Sequence, residues 1–177
     1  MIKRINMQLI ALVALLLPAI GLAQHNLADA QKDWPDLRLF KPSQLRTLPQ
    51  PVKADLEKRR CSIPIFTKWD GTHNVIRGSF RGSSSHDIAV LCIAGDDMSV
   101  VVYWEGAAER GEEIRKFPAD AYRMIHTMTP FVLKKRALRD QATDRLPAFD
   151  HDAIEDGPVG GVAETAYFHE GTWLAVF

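Results

Sequence analysis

The chain has 177 residues, of which 46% are hydrophobic and 25% charged, a composition that excludes intrinsic disorder and fits one globular domain. Lysine plus arginine and aspartate plus glutamate number 22 each, so no overall positive charge indicates a nucleic-acid partner, and we expect none. Two cysteines are too few for a disulfide-dense miniprotein or for a zinc site of four thiolates.

Residues 1–23 have the pattern of a secretory signal peptide. Lys3 and Arg4 precede an apolar run over residues 7–17, and small residues lie just before a cleavage site at Gln24. The run is shorter than the roughly 20 residues of a membrane span. We therefore expect a periplasmic or secreted protein with no stable membrane span after cleavage. An uncleaved N-terminal anchor is the alternative.

Cys61 and Cys92 are the only cysteines in the chain, and export would place them in an oxidising compartment. We expect a disulfide between them, and two buried free thiols are the alternative. A bridge that closes this loop stabilises the folded chain by about 3–4 kcal/mol in the chain-entropy model.

The segment after the signal, residues 24–50, is rich in proline and weakly periodic, which predicts an extended N-terminal segment. Residues 51–177 are expected to form a single domain. A short helix is predicted over 51–60, because proline suits a first helical turn and Val52 and Leu56 lie one turn apart.

The strongest strand signal is a hairpin of two apolar runs, 87–94 and 99–104, joined by a turn at Gly95-Asp96-Asp97. Neither run alternates between apolar and polar residues, so we expect both strands to be buried on both faces, in the middle of a sheet. Further strands are predicted at 73–80, 162–168 and 172–177.

A second helix is predicted over 118–128, with Tyr122, Ile125 and Met128 near one face. Residues 131–145 are basic and fit no single secondary structure. The elements together predict an α+β fold with one antiparallel sheet of about five strands, covered by two or more short helices. The disulfide would pin the first helix to the central strand.

The segment 74–104 resembles a single degenerate repeat of the FG-GAP/VCBS type. The motif that carries the resemblance is Gly78-Ser79-Phe80-Arg81-Gly82-Ser83-Ser84-Ser85-His86-Asp87-Ile88-Ala89-Val90. The resemblance implies a strand, a turn and a second strand. In the family the turn binds calcium through acidic oxygens, but Ser79, Arg81 and Ser83 occupy three of those positions and only Asp87 persists, so calcium binding is not carried over. The rest of the chain is similar to small exported bacterial proteins of unknown function, which implies no activity.

The best candidate site in the sequence is the stretch 150–156. Its candidate residues for a metal or polar site are Asp150, His151, Asp152, Glu155 and Asp156. These carboxylates and the imidazole could ligate a cation such as calcium, although the spacing is not that of an EF-hand loop. The alternative is a helix start in which Asp152 caps and Glu155 completes a capping box, and the spacing favours this alternative.

Charge is unevenly distributed, since residues 147–177 carry six acidic residues and no lysine or arginine. This predicts packing of that segment beside the basic residues 134–139.

No matched nucleophile, base or ligand set is present, so we expect a non-enzymatic exported module without a cofactor. Its partner would be an envelope or extracellular protein or another envelope component. The alternative function is a metal-assisted or carboxylate-based hydrolase that uses the stretch 150–156.

Overall fold

The computed structural model describes residues 32–106, 110–119, 122–140 and 146–177. The predicted signal peptide and the start of the extended segment lie outside these residues. Within them, ten strands form one two-stranded and two four-stranded sheets, with two α-helices among them. The expected α+β fold with a single sheet of five strands is therefore wrong, because the described protein is mostly β.

Ten strands and two α-helices follow one another along the described chain, and each of the three sheets is made of a successive group of strands. They are β1 Leu37–Phe40, α1 Gln50–Lys58, β2 Ile63–Phe66, β3 Val75–Gly78, β4 Asp87–Ala94, β5 Asp97–Tyr103, β6 Glu112–Pro118, β7 Arg123–Met128, α2 Pro130–Arg139, β8 Ala153–Pro158, β9 Glu164–His169 and β10 Thr172–Ala175. Strands β1 and β2 form the small sheet, β3 to β6 the first sheet and β7 to β10 the second sheet. Within each sheet, strands that are consecutive in the chain pair antiparallel.

The predicted central hairpin is confirmed as β4 and β5, the two inner strands of the first sheet. Every residue of β4 except the last and every residue of β5 except the first is buried. Both faces of the hairpin are covered, as the lack of alternation predicted. Helix α1 packs Val52 and Leu56 on one face, and the second sheet packs Ile125 and Ile154 on the other.

The layers follow from these contacts: α1, the first sheet, the second sheet and α2. Helix α2 packs Leu133 and Ala137 on the outer face of the second sheet, in one cluster with Ala153 and Tyr167. The predicted strands at 162–168 and 172–177 do form a hairpin, β9 and β10, but they belong to the second sheet and not to the sheet of β4 and β5. One sheet was predicted where two sheets pack face to face.

The helix predicted over 118–128 is wrong, because β6 ends at Pro118 and residues 123–128 form β7. Along β7, Ile125 joins the core between the sheets whereas Met124 packs in a separate cluster, which is the period of two of a strand. Pairing with β8 over the full length of β7 supplies partners for its backbone groups. The helix begins later, at Pro130, in the segment that fitted no single structure.

The disulfide between Cys61 and Cys92 is confirmed. It joins the residues after α1 to β4, with a Cα–Cα distance of 5.2 Å. Beside it, Ser62 and Ile93 exchange two backbone hydrogen bonds of 2.8 and 2.9 Å. The covalent link and this bridge together hold the small sheet and α1 against the first sheet.

Asn74, which is fully buried, connects all three sheets. Its side-chain amide donates to the Pro64 carbonyl in β2 at 2.6 Å, and its side-chain oxygen accepts from the Ile125 amide in β7 at 2.9 Å. Its backbone carbonyl accepts from the Leu91 amide in β4 at 2.9 Å. The backbone of Asn74 is left-handed, with a φ of 61°, a conformation that asparagine tolerates better than most residues.

We expect Asn74→Ala to lower the free energy of unfolding by about 2–4 kcal/mol, because it leaves a buried amide and a buried carbonyl without partners. Asn74→Gly loses the same two hydrogen bonds, but glycine adopts the left-handed backbone without the strain that alanine has there. Urea unfolding of the two variants separates these effects. If either variant unfolds at the wild-type urea midpoint, the connecting role of Asn74 is refuted.

Reduction of the disulfide is expected to lower stability by about 3–4 kcal/mol, since the unfolded chain regains the entropy of the closed loop. The measurement is urea unfolding of the protein with and without reductant. The variant Cys61→Ser/Cys92→Ser, which has no bridge to reduce, serves as the control. Two titratable thiols in denatured, unreduced protein would contradict the assignment.

Candidate binding face on the second sheet

The stretch 150–156 enters β8 as extended chain, so no helix begins there and the capping box of Asp152 and Glu155 is wrong. Asp152 instead fixes the loop after β3. Its Oδ2 accepts a hydrogen bond from the Ser79 amide at 2.9 Å, and its own amide donates to the Ser79 carbonyl at 3.1 Å. This pair ties the beginning of β8 to the first sheet.

Glu155 and Asp156 point to opposite faces of the second sheet, as consecutive strand residues must. Glu155 lies on the outer face and pairs with Arg136 of α2 at 2.9 Å. Asp156 is 1% exposed and lies between the sheets, where it pairs with Arg123 and, at 2.7 Å, with Arg115 of β6. The predicted contact between the acidic segment and the basic residues 134–139 is confirmed at one pair, Glu155 with Arg136.

Asp150 and His151 lie against Tyr167 at the start of β8. The Tyr167 hydroxyl donates to Asp150 at 2.9 Å, and this hydrogen bond lowers the pKa of the Asp150 carboxyl. Burial raises the pKa of Tyr167 to about 12, and the carboxylate of Asp150 adds to the shift. The buried His151 ring stands edge-on to Tyr167 at 4.3 Å between centroids.

The five predicted site residues therefore face four different surroundings. Asp150 and His151 face Tyr167, Asp152 faces the loop after β3, Glu155 faces α2 and Asp156 lies between the sheets. Among the residues that the structure describes, no group of three or more histidine, cysteine, aspartate or glutamate side chains is placed to hold a metal ion.

Asp87, the acidic residue of the motif that resembles an FG-GAP/VCBS repeat, is 1% exposed and accepts hydrogen bonds from the turn before it and from the segment after β5. Its Oδ2 accepts from the Ser85 hydroxyl at 2.6 Å and from the Arg81 amide at 3.0 Å. Its Oδ1 accepts from the Glu105 amide at 2.9 Å. Oδ2 thus holds the turn, and Oδ1 joins Asp87 to the segment after β5. Membership of the repeat family stays a prediction.

The tryptophans Trp104 and Trp173 stack on each other, with centroids 5.7 Å apart and an interplanar angle of 17°. Phe168 packs against Trp104 at 5.0 Å and against Trp173 at 5.3 Å. A carbohydrate platform presents aromatic rings side by side to solvent, whereas these two tryptophans cover each other's faces. Their contact extends the core between the sheets, and Trp69 lies apart from it.

A small cavity of about 150 Å³ opens on the outer face of the second sheet, with Trp69, His126 and Glu155 in its wall. The ring of the buried His73 lies 6.5 Å from that of His126, measured between centroids. The His73 Nε2 accepts a hydrogen bond from the Phe66 amide at 3.0 Å, so this nitrogen carries no proton in the fold. Burial lowers the pKa of His73, and the neighbouring His126 lowers it further.

Helix α2 carries apolar side chains on the side that turns away from the sheet. Phe131 is 76% exposed, Leu138 68% and Val132 41%. Of the five large hydrophobic side chains that are exposed in the described part of the chain, these are three, and Trp69 and Val162 are the others. Lys134 and Lys135 share the same surface. We name Phe131, Val132, Lys134, Lys135 and Leu138 the α2 outer face.

Sequence reasoning missed the α2 outer face, although its signal was present. Pro130 is a good first residue of a helix, and Leu133 and Ala137 lie one turn apart and are buried. Once that buried side is assigned, Phe131 and Leu138 fall on the opposite side, about two turns apart. A helix with apolar residues on both sides has either a second covering layer or an exposed binding surface.

No family model, curated protein or solved structure matches the chain. No helix in the described residues is long and apolar enough to cross a membrane.

Because the folded state keeps His73 neutral and the unfolded state does not, stability is expected to fall as the pH drops. With the folded pKa below the unfolded value of 6.5, the stabilisation is complete above pH 6.5 and is lost as the pH falls towards and through the folded pKa. Urea midpoints between pH 7 and 5 measure this loss. His73→Gln, which can still accept from the Phe66 amide, should flatten the profile. An equally steep profile in His73→Gln would refute the role of His73.

Proposed function

We propose that the protein is a non-enzymatic module of an oxidising, extracytoplasmic compartment that binds an envelope component through the α2 outer face. The signal-like residues 1–23 and the bridge between Cys61 and Cys92 support the compartment, because stable disulfides are a feature of exported proteins. The proposal of a periplasmic or secreted location rests on these two features together.

The observation that carries the binding function is the exposure of Phe131 and Leu138. Monomeric proteins rarely leave clustered large apolar side chains in water, and such clusters mark binding surfaces. Nothing in the fold requires apolar residues at these two positions, because Leu133 and Ala137 already make the contacts of α2 with the second sheet. The exposure of this pair in the described part of the chain supports a binding partner at this face.

The arrangement of the carboxylates in the stretch 150–156 does not support the alternative function as a hydrolase. A carboxylate pair that acts on one bond must converge on that bond, and Glu155 and Asp156 lie on opposite faces of the second sheet. Asp152 is committed to the Ser79 amide at 2.9 Å. We therefore place the function at the surface of α2 and not at the stretch 150–156.

The test is retention of the exported form on washed envelope fractions. Phe131→Ser/Leu138→Ser is expected to weaken retention at least about tenfold, because two apolar side chains lose their buried surface. Val162→Ser is the matched control, since Val162 is the most exposed large apolar residue outside α2, and it should bind like the wild type.

Two results would contradict the proposal. Equal retention of the wild type and of Phe131→Ser/Leu138→Ser would show that the α2 outer face is not the contact. An exported form whose N-terminus is Met1 instead of Gln24 would refute cleavage of the signal. Melting curves of both variants check that the fold is intact.

A further inference from the structure

We infer that the component bound by the α2 outer face is the anionic lipid surface of a membrane. This inference rests on the proposed function and names its partner. It begins with the placement of charge on α2. In the described residues Lys134 and Lys135 form no salt bridge, whereas Arg136 is paired with Glu155 and Arg139 with Asp140. The two lysines thus form no ion pair in this part of the chain, although the charge of Lys134 adds to the hydrogen bond from Tyr167 in lowering the pKa of the Asp150 carboxyl.

Helix geometry places the two lysines on either side of the exposed apolar pair. At about 100° per residue, Phe131 and Leu138 lie almost in line along the helix, with Lys134 on one side of that line and Lys135 on the other, between the line and Val132. This arrangement suits a lipid interface. The apolar side chains can enter the boundary between headgroups and acyl chains, while the flanking ammonium groups contact the lipid phosphates.

The shape of the surface also favours lipid over a folded protein. Phe131 and Leu138 are 76% and 68% exposed on a helix that lies outside the second sheet, so these two side chains protrude from the fold. A rigid protein partner would need a matching groove, whereas the headgroup layer deforms around a helix. The binding is a shallow contact, since α2 has only ten residues.

An apolar crevice continues from the α2 outer face towards the residues that follow the helix. It has a volume of about 460 Å³, and its wall includes Lys134, Ala137, Leu138, Leu146, Pro147 and Phe149. Leu138 and Lys134 belong both to the crevice and to the exposed face. An acyl chain that enters beside Leu138 would leave its phosphate within the reach of Lys134, which matches the chemistry of an anionic phospholipid.

The experiment is sedimentation of the exported form with vesicles of phosphatidylcholine, with and without 30% phosphatidylglycerol. We expect binding that requires the anionic lipid and weakens with salt. Lys134→Gln/Lys135→Gln should weaken it about 25-fold, at about fivefold per lysine. Lys53→Gln/Lys58→Gln, which removes two lysines from α1 on the opposite side of the molecule, should leave it unchanged. Phe131→Ser/Leu138→Ser should abolish binding, and Val162→Ser should not.

Several outcomes would overturn the inference. One such outcome is equal binding to both vesicle types, and another is an equal loss of vesicle binding in Lys53→Gln/Lys58→Gln. Either would show that the lysines of α2 do not bind the anionic headgroups. A dimer in solution that Phe131→Ser/Leu138→Ser dissociates would assign the face to a second copy of the chain. Retention on envelope fractions that protease treatment of the fraction removes, without vesicle binding, would replace lipid by a protein and leave the proposed function standing. Failure of both binding assays would refute both.

Discussion

A central constraint of the fold is one buried amide, the side chain of Asn74, because it satisfies backbone groups in both the small sheet and the second sheet. Pro64 in β2 and Ile125 in β7 have their hydrogen bonds completed by the same residue. Apolar packing between sheets is not directional, whereas these hydrogen bonds fix how β7 lies against the edge of the first sheet. The orientation of β7 in turn decides which face of the second sheet turns outward.

The two faces of the second sheet differ in whether their charged groups are buried or exposed. On the inner face, Asp156 is closed between two arginines and away from solvent, a position from which it can hold the sheets but not meet a ligand. On the outer face, Glu155 neutralises Arg136 at the base of α2. The cations that remain at the surface of the helix, Lys134 and Lys135, therefore define its electrostatic character.

Sequence reasoning correctly predicted those parts of the fold whose sequence pattern fits only one structure. The run 87–94 is apolar at almost every position, so burial on both faces was the consistent interpretation, and two cysteines allow only one pairing within the chain. It failed at β7, because Ile125 and Met128 fit a helical spacing as well as a strand. It failed at Asp152, where the spacing of a capping box arises by chance and only the contact with Ser79, distant in sequence, decides the structure.

Each large sheet is built from one continuous half of the chain, and the only pair of cysteines lies in the first half. When synthesis or export delivers the chain N-terminus first, Cys61 and Cys92 emerge before any residue of the second sheet. With two cysteines in all, no wrong pairing competes. The first sheet can thus be oxidised as a template, and the later half then docks on Asn74. The connectivity thus allows the bridge between Cys61 and Cys92 to form before the four strands of the second sheet are added.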